Sequence, residues 1–563
     1  MGKRESKEKG SMKLVRKIIT VILFLVVTVT VISLAPNYIH NEITGKTNVI
    51  INNNNITNSL KQDILIEDDI IYMATKDIAN FLDEDIFYDN QYHQIITGSD
   101  TKIASLVIGK NEMSINSVKT SIEGKAIEKD NQFYLPIMDL ERVYNIEVTY
   151  LPETNRLFID SLDREKKMAN AANESVKYLP TDFSKTLEKI RKGDNVTIIP
   201  TKEELKGWTK VRTENGTIGY IKEIANTHLV RQAMQTEKQI EGRVSLVWDY
   251  YSIYASAPQR TEKIQGVNVV SPSFAMLKED GSGDISLNIG TKGKNYIQWA
   301  HDNGYKVWAM VSNNLGTTKI KDATSTILRD YQLRENLINN IVNMASSYGI
   351  DGINIDFENM YKDDKEMFSR FIIELAPRLK EIGKVLSVDV TAPDGSDDWS
   401  LCYDRHTIGK VADYIVFMAY DQYGQSSDKA GTTAGADWVE VNLKKFVGTQ
   451  EEVESNKIIL GMPFYTRLWK ETNGTVKSSV ISMKNVDTVL PVGVERNWKD
   501  DVKQNYIEYE EDGTNYKMWI EDETSLKAKF ELMRTYELAG AAYWVKDMEP
   551  ESIWPVITEE LKK

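Results

Sequence analysis

Polar and apolar side chains alternate in the segment DGINIDFE, from Asp351 to Glu358, which we predict to be a buried strand. Alternate residues of a strand lie on the same face, so Asn354, Asp356 and Glu358 share one face. Three polar groups on an interior face are costly to bury unless they form a hydrogen-bonded network or take part in chemistry. A purely structural network is one interpretation. The other is general acid catalysis, because desolvation raises the pKa of a carboxylic acid until it can protonate a leaving group at neutral pH.

Strand-like and helix-like segments alternate throughout residues 238–563, around this motif. Eight apolar strand candidates predict an α/β fold, a (β/α)8 TIM barrel with a large insertion at about 470–525. The strand candidates are Val244–Trp248, Val267–Ser271, Lys306–Val311, Gly352–Phe357, Leu386–Thr391, Tyr414–Ala419, Ile458–Met462 and Gly540–Val545. Active sites of such barrels lie at the C-terminal ends of the strands, so we expect Glu358 at the mouth of the barrel.

The motif resembles the signature of glycoside hydrolase family 18, with its acidic positions at Asp351, Asp356 and Glu358. The chitinase form of the signature has an aspartate where this chain has Asn354. That difference is similar to the branch of the family directed at peptidoglycan, such as spore-cortex-lytic N-acetylglucosaminidases. It removes a carboxyl that would share a proton with Asp356, so we expect Asp356 to ionise more readily. Asp351 is predicted to support the site and Asn354 to contact substrate.

Residues outside the motif match the same family. Met418, Tyr420 and Asp421, at the end of the sixth strand, match an M-x-Y-D element whose tyrosine and aspartate help to hold the N-acetyl group of the substrate. Trp544 on the eighth strand matches the aromatic floor of the central sugar subsite, with core packing as the alternative. Weaker candidates for substrate binding are Tyr465, Arg467 and Trp248.

The resemblance implies substrate-assisted retaining catalysis, an exception to the usual two-carboxylate scheme, without metal or cofactor. Glu358 would protonate the glycosidic oxygen, and the 2-acetamido oxygen of the sugar would attack C1. Asp356 would orient the acetamido group and stabilise the developing charge, and Tyr420 would donate a hydrogen bond to the acetamido oxygen. Glu358 would then act as the base that activates water. Asp389 has inward parity on the fifth strand, where a hydrogen bond to the carboxylates is its expected role.

The composition excludes several other classes of protein. The chain has 563 residues, one cysteine and five scattered histidines, which argues against a disulfide scaffold, a cysteine zinc site and a histidine-based metal enzyme. Its 69 basic and 83 acidic residues give a net charge of −14, which argues against nucleic acid as a partner. The length predicts roughly three or four domains.

The N-terminal segment indicates a membrane anchor. Residues 1–17 carry seven basic and two acidic side chains, a net charge of +5, and residues 18–35 contain no charge. Such a stretch is about long enough to span a bilayer, and the preceding basic residues favour a cytoplasmic N-terminus. We therefore predict a single-pass protein of the cell membrane, with extracytoplasmic C-terminal domains that follow a linker over 36–46. A cleaved signal peptide, which would give a secreted protein, is the alternative.

Residues 47–162 contain an internal repeat with a constant offset of 62, so that Asp77 corresponds to Asp139. Each copy predicts a strand, a short helix and two strands joined by a polar turn. The unit resembles the copper-amine-oxidase N-terminal-like domain of bacterial surface proteins. Because His93 is its only histidine, we expect no copper site, and we interpret it as a spacer or wall-binding module.

Residues 170–226 resemble a bacterial SH3-like domain. Turn signals at Gly193-Asp194 and Asn215-Gly216 separate short alternating strands, and Gly207-Trp208 opens one of them. Domains of this type can bind peptidoglycan. The alternative is a purely structural role, in which Trp208 only packs in the small hydrophobic core.

Three functions remain open at this point. The first is a glycosidase that hydrolyses bonds next to N-acetylglucosamine in peptidoglycan or spore cortex. The second is a chitinase or an endo-N-acetylglucosaminidase on other glycans, and the SH3-like segment and Asn354 argue against it. The third is a catalytically weak glycan-binding or scaffold protein of the cell envelope, and the presence of Glu358 argues against it.

Overall fold

The computed structural model describes Thr20 and residues 45–172, 175–202, 205–233, 240–252, 254–313 and 317–563. The predicted basic segment, the predicted membrane span apart from Thr20, and most of the predicted linker lie outside the described residues. In the part that is described, no helix has the length and apolar character needed to cross a membrane.

The chain forms two compact units. The first contains residues up to Ile86 together with Ile108–Glu112 and Ser121–Thr236. The second contains Phe87–Val107, Met113–Thr120 and Glu237–Lys563, and therefore holds the predicted catalytic motif.

The predicted repeat is confirmed, because both copies have the order strand, short helix, strand, strand. The elements are β1 (Asn48–Ile51), β2 (Asn54–Asn55), β3 (Leu65–Glu67), β4 (Ile70–Ala74), α1 (Thr75–Phe81), β5 (Phe87–Asp89), β6 (Gln94–Gly98), β7 (Ile103–Val107), β8 (Glu112–Ile115), β9 (Val118–Ser121), β10 (Ile127–Lys129), β11 (Gln132–Pro136), α2 (Glu141–Tyr144), β12 (Ile146–Leu151) and β13 (Arg156–Ser161). The first copy begins at β4 and the second at β11.

Equivalent aspartates stabilise the two copies in the same way. The carboxylate of Asp77 and that of Asp139 each accept two backbone N–H hydrogen bonds from the chain about 15 residues before. The donors are Lys61 and Gln62 for Asp77, and Glu123 and Gly124 for Asp139. The offset of 62 therefore holds for hydrogen bonds as well as for sequence.

A seven-stranded antiparallel sheet follows, with the order β16-β15-β19-β18-β17-β14-β20. Its strands are β14 (Lys166–Ala171), β15 (Ser175–Lys177), β16 (Thr186–Lys189), β17 (Asn195–Ile198), β18 (Trp208–Thr213), β19 (Ile218–Lys222) and β20 (Ile224–Arg231). The hairpin between β18 and β19 contains Gly216 at φ +78°, as the Asn-Gly pair predicts. The strands extend beyond the predicted limits of 170–226, and the SH3-like interpretation stays a prediction.

All eight predicted barrel strands are confirmed, and they form a closed parallel barrel. In order around the barrel they are β21 (Val244–Asp249), β22 (Val269–Pro272), β25 (Lys306–Ser312), β26 (Gly352–Asp356), β27 (Val385–Val390), β28 (Tyr414–Met418), β29 (Ile458–Pro463) and β35 (Gly540–Trp544). Two short strands, β23 (Ala275–Leu277) and β24 (Ile285–Leu287), extend the sheet beside β25.

Helices surround the barrel and bury the outer faces of its strands. They are α3 (Gly290–Asp302), α4 (Thr318–Arg329), α5 (Tyr331–Ser347), α6 (Lys365–Glu381), α7 (Arg405–Val411), α8 (Ala436–Val447), α10 (Glu523–Thr535) and α11 (Ile553–Lys562). On β26, Ile353 and Ile355 belong to this outer hydrophobic core together with Phe357. The alternate residues of β26 are thereby left for the interior, as the period-two pattern predicts.

The predicted insertion before the last barrel strand is a five-stranded antiparallel sheet with a core of its own. It comprises β30 (Tyr465–Thr472), β31 (Thr475–Ser482), the short helix α9 (Val486–Val489), β32 (Asn497–Lys499), β33 (Gln504–Glu511) and β34 (Thr514–Ile520). Leu468, Ile507, Met518 and Ile520 are buried at its centre. Its first strand follows β29 almost directly, so the sheet begins at the mouth of the barrel.

Candidate active site

Glu358 lies two residues beyond the C-terminal end of β26, at the mouth of the barrel. The side chain of Asn313, just after β25, accepts a hydrogen bond from the Glu358 backbone N–H (3.0 Å) and donates one to the Glu358 carbonyl (2.9 Å). The hydroxyl of Tyr403 donates to the preceding carbonyl, that of Phe357 (2.7 Å). Three hydrogen bonds from two other segments therefore fix the backbone that presents the Glu358 carboxyl.

The carboxyl of Glu358 opens into a cavity of about 240 Å³ at this end of the barrel. The residues that line it come from the first, second, third, fourth and eighth strands and the segments after them. They are Tyr250, Tyr251, Ser273, Ala275, Met276, Met310, Ser312, Asp356, Glu358 and Trp544. The structure thus brings two predicted catalytic carboxyls and the predicted aromatic floor to a single cavity that has acidic, hydroxyl and aromatic groups on its walls.

Burial shifts the protonation of both carboxyls in the cavity. Desolvation raises the pKa of Asp356 to about 7. It also raises the pKa of Glu358 well above its usual value, and the charges of Asp356, Asp389 and Asp421 add to that shift. A carboxylic acid that keeps its proton at neutral pH can act as a general acid, and Glu358 meets this condition.

Asn354 lies beneath the cavity, fully buried, and makes four hydrogen bonds within the barrel. Its carbonyl oxygen accepts from the indole N–H of Trp248 (2.9 Å) and the hydroxyl of Ser271 (3.2 Å). Its amide group donates to Ser387 Oγ (3.0 Å) and Asp389 Oδ1 (2.7 Å). Since every hydrogen-bonding position of the amide is occupied by protein, the prediction that Asn354 contacts substrate is wrong.

Trp248 is also misassigned by the sequence interpretation. Its side chain is fully buried, bonds to Asn354 and packs edge-on against Trp544 at 5.7 Å between ring centroids. It therefore supports the floor of the cavity from below instead of forming a wall. Tyr250, two residues later, lines the cavity and lies 5.8 Å from the Trp544 ring.

Tyr420 and Met418 lie at the end of β28 with inward parity, as predicted, whereas Phe417 and Ala419 join the outer core. Burial raises the pKa of Tyr420 well above its usual value, and the neighbouring Tyr465 and the carboxylates of Glu358, Asp389 and Asp356 add to the shift. The Tyr420 hydroxyl therefore stays protonated beside the catalytic carboxyls, where it can donate a hydrogen bond.

Tyr465 and Arg467, from the first strand of the insertion, join Asp421 in one polar group. The guanidinium of Arg467 donates to the Asp421 carboxylate (3.1 Å), and the ring of Tyr465 packs edge-on against Tyr420 at 6.3 Å. Tyr465 and Arg467 are both buried, whereas Asp421 is exposed. This group therefore orients Tyr420 and Asp421 from behind, and only Asp421 among its charged members has an exposed side chain.

Asp351 lies at the opposite end of β26, at the bottom of the barrel. Its carboxylate accepts hydrogen bonds from His301 Nε2 (2.8 Å), Lys306 Nζ (3.2 Å) and the backbone N–H of Val307 (3.0 Å). Burial alone would raise its pKa, but the Val307 N–H, His301 and Lys306 outweigh burial and lower it. Asp351 thus joins the third and fourth strands and does not reach the cavity.

The expectation that Asp356 ionises more readily because Asn354 replaces a carboxyl stays a prediction, and two features of the structure act against it. Asp356 is buried, and a second carboxyl, Asp389 on β27, lies in the same interior layer and bonds to Asn354. The carboxyl that the motif lacks at Asn354 is therefore present nearby, on the neighbouring strand. Asp389 reaches the interior as expected, but its observed hydrogen bond is to the Asn354 amide, so the expected bond to the carboxylates stays a prediction.

Sequence reasoning did not identify Asn313, Tyr403 or Ser271. Asn313 directly follows a predicted barrel strand, and this position at a strand end is the signal that could have selected it. Tyr403 and Ser271 carry no comparable pattern, because their roles depend on contacts between segments that are far apart in the chain.

Comparison with known proteins agrees with this geometry. The family model for glycosyl hydrolases family 18 matches residues 246–549, more than half of the chain. The model for the copper amine oxidase N-terminal domain matches residues 44–159. The two matches coincide with the barrel and with the repeat.

Three curated relatives indicate the range of similar proteins. An uncharacterised glycosylase, YvbX of Bacillus subtilis (strain 168), is 26% identical over 301 residues, 52% of this chain and 84% of the relative. A cortical fragment-lytic enzyme of Bacillus anthracis is 25% identical over 248 residues, 42% of this chain and 56% of the relative. Endochitinase 1 of Metarhizium anisopliae is 24% identical over 216 residues, 35% of this chain and 49% of the relative. The chain thus spans about half the length of the last two.

Proposed function

Because the chain belongs to glycoside hydrolase family 18, we propose that it is a glycosidase that cleaves bonds next to N-acetylglucosamine in peptidoglycan or spore cortex. The observation that carries the proposal is the cavity in which Glu358 and Asp356 meet Trp544 and Tyr250. A protonated acid and a carboxylate face a wall of aromatic rings there. Such a wall suits a neutral sugar ring, which binds through its apolar C–H faces. The similarity to a cortical fragment-lytic enzyme supports the choice of wall glycan.

In the proposed reaction, the carboxylic acid of Glu358 donates its proton to the glycosidic oxygen as the bond to C1 breaks. The acetamido oxygen of the same sugar forms the new bond to C1, so no protein nucleophile is required. The Asp356 carboxylate accepts the acetamido N–H and stabilises the positive charge that develops on that group. Tyr420 donates a hydrogen bond to the acetamido oxygen. Water then attacks C1 and gives a proton to Glu358, while the bond between C1 and the acetamido oxygen breaks, which restores both the acetamido group and the acid.

The proposal includes a location outside the cytoplasm. The uncharged segment 18–35, preceded by a segment of net charge +5, supports a single-pass anchor of the cell membrane. The repeat and the seven-stranded sheet would then lie between the membrane and the barrel along the chain, as spacer or wall-binding modules. Cleavage after the apolar segment would instead release the same domains as a secreted enzyme.

The test is digestion of purified peptidoglycan and of spore cortex by the full chain, with mass spectrometry of the released fragments. We expect fragments with N-acetylglucosamine at the reducing end, and none from the Glu358→Gln protein. Release of fragments by both proteins would point to a contaminating hydrolase. No release by the wild type from either polymer would overturn the proposal.

The same assay with chitin oligosaccharides tests the second candidate function, a chitinase. The similarity to Endochitinase 1 of Metarhizium anisopliae favours including it. Cleavage of chitin oligosaccharides without cleavage of peptidoglycan or cortex would assign the chain to that activity. Binding of all three glycans without cleavage would assign it to a scaffold role.

A further inference from the structure

Two buried carboxyls lie side by side on the inner face of the barrel. β26 and β27 are parallel neighbours in which Asn354 pairs with Ser387 and Ile355 with Val388. The same register places the next residues, Asp356 and Asp389, beside each other. Neighbouring strands are about 4.8 Å apart, and both side chains have the inward parity, so their carboxyl groups are adjacent.

Each carboxyl of this pair has one buried oxygen without a hydrogen-bond partner among the described residues. Oδ1 of Asp389 accepts from the Asn354 amide (2.7 Å), whereas Oδ2 of Asp389 and Oδ1 of Asp356 are buried and have no partner among the described residues. Two buried acceptor oxygens next to each other are unfavourable if both groups are ionised. One proton placed between them satisfies both, because a protonated carboxyl is a donor.

Among the described residues, the groups that act on the pair provide no compensating positive charge. Glu358 follows β26, Tyr420 follows β28, and Tyr403 lies in the loop after β27; the two phenols interact with these carboxylates. Trp248 of β21, Ser271 of β22 and Ser387 of β27 are neutral and already bonded to Asn354. Within the described part of the chain, the charged groups that act on Asp356, Glu358 and Asp389 are all acidic.

We propose that Asp389 is a positioning residue that stores a proton beside Asp356 throughout the reaction. Its protonated Oδ2 donates a hydrogen bond to Oδ1 of Asp356, while its Oδ1 remains bonded to Asn354. Asp356 is thereby kept as the anion that faces the substrate. No proton leaves the pair during turnover, because the proton given to the leaving group comes from Glu358 and returns to it from water.

The direction of the pKa shifts agrees with this arrangement. Burial raises the pKa of Asp389 well above its usual value, and the charge of Asp356 raises it further, against the hydrogen bond from Asn354. For Asp356 the pKa is raised only to about 7. The shared proton therefore belongs on Asp389.

Two variants separate proton storage from packing. Asp389→Asn keeps a donor toward Asp356 and an acceptor toward Asn354, whereas Asp389→Leu has similar bulk and neither. We expect Asp389→Leu to lower kcat about 100-fold with KM changed less than about threefold, and Asp389→Asn to recover at least about tenfold of the loss. The acidic limb of the kcat profile should move to higher pH in Asp389→Leu, because Asp356 loses the hydrogen bond that favours its anion.

The exchange Asn354→Asp/Asp389→Asn is the matched test of position. The double variant moves the second carboxyl from position 389 on β27 to position 354 on β26. The hydrogen-bonded pair 354 and 389 still consists of one acid and one amide. If the stored proton is what matters, the double variant should be at least about fivefold more active than Asn354→Asp alone, which places three acids in the cluster.

The kinetic tests rest on the proposed function, because they require glycosidase activity. Infrared spectroscopy detects the stored proton directly and does not require activity. In the Glu358→Gln protein at pH 8, we expect one protonated carboxyl more than in the protein that also carries Asp389→Asn. The same measurement decides the matter if Asp389→Leu does not fold.

Equal carboxylic-acid bands in these two proteins would overturn the proposal, as would identical acidic limbs for Asp389→Leu and Asp389→Asn. If the wild type cleaved no glycan but the band were lost with Asp389→Asn, the proton storage would stand and the proposed function would fail.

Discussion

At the residue scale, the site depends on keeping the Glu358 carboxyl protonated next to the Asp356 carboxyl, which ionises. Glu358 and Asp356 lie in the same cavity, two residues apart, yet their environments differ. Burial favours the protonated form of Glu358, and the charges of Asp356, Asp389 and Asp421 add to that effect. The general acid is therefore kept protonated by burial and then by electrostatic repulsion, and within the described part of the chain no cation is among the groups that shift its pKa.

We predict that Glu358→Gln folds normally and lowers kcat at least about 1,000-fold, because the amide keeps the volume but donates no proton. Asp356→Asn should be nearly as damaging, and Tyr420→Phe should cost about tenfold, since it removes one hydrogen bond to a developing charge. Glu531→Gln, an exposed residue of α10, is the matched control. Steady-state kinetics with circular dichroism measure these effects, and near-wild-type turnover of Glu358→Gln would contradict the assignment.

The raised pKa of Asp356 predicts how stability changes with pH. The folded protein holds this proton up to pH about 7, whereas the unfolded chain loses it near pH 4, so the native state binds more protons between these values. Folding stability contributed by this group is therefore present below pH 4 and is lost as pH rises to 7.

Asp356→Asn should accordingly unfold at a higher temperature than the wild type at pH 8, by more than about 1 kcal/mol in free energy of unfolding. The difference should shrink toward pH 4.5, as calorimetry at both pH values would reveal. Asp501→Asn, an exposed residue of the insertion, should show no such trend. A difference between Asp356→Asn and wild type that is independent of pH would show that Asp356 does not titrate in this range.

At the element scale, the two long helices α5 and α6 are joined by a buried ion pair. The guanidinium of Arg334 donates two hydrogen bonds to the Glu374 carboxylate (2.8 and 3.0 Å) and a third to the carbonyl of Leu328 (2.7 Å). Both charged side chains are about 1% exposed. The first of these helices packs against the fourth strand, which leads to Glu358, and the second packs against the fifth strand, which carries Asp389.

We predict that Glu374→Met lowers the free energy of unfolding by about 3 kcal/mol or more, because it leaves the Arg334 charge buried without a partner. Glu366→Met, exposed on the same helix, should change it by less than about 0.5 kcal/mol. The double variant Arg334→Met/Glu374→Met should recover much of the loss. Urea unfolding provides the comparison, and an unchanged midpoint for Glu374→Met would mean that the pair contributes nothing.

At the scale of the whole molecule, the charge distribution bears on how the glycan is held. Residues 1–17 have a net charge of +5, which leaves −19 on the rest of the chain. Wall polymers are largely anionic, so bulk attraction cannot retain them on this surface. Recognition through aromatic rings and neutral polar groups, such as Trp544 and Tyr250, does not depend on net charge.

We therefore predict weak salt dependence of glycan binding. Retention of the Glu358→Gln protein on insoluble peptidoglycan should change less than about threefold between 50 and 500 mM salt, because screening acts on long-range charge and not on stacking. Lysozyme, a basic protein, serves as the control whose retention falls with salt. A fall of tenfold or more for the Glu358→Gln protein would show that charge attraction holds the glycan.

The sequence by itself determined the features that depend on short-range periodicity. Apolar runs selected the eight barrel strands, and period-two alternation selected the inward residues Asp356, Asp389, Met418 and Tyr420, because the face that a strand residue occupies follows from its neighbours alone. The repeat offset likewise determined the order of elements around Asp77 and Asp139. The family resemblance carried the roles of Glu358 and Asp356.

Only the tertiary structure decided which inward residues reach the cavity and which lie beneath it. Asn354 and Trp248 have the right parity, but barrel closure places them in a lower layer, where they bond to each other, while Tyr250 reaches the cavity. The partnership of Asp356 with Asp389 depends on the register of two strands separated by more than thirty residues, and the support of Glu358 by Asn313 depends on a third. Lateral contacts of this kind arise from packing between distant segments, which no local pattern encodes.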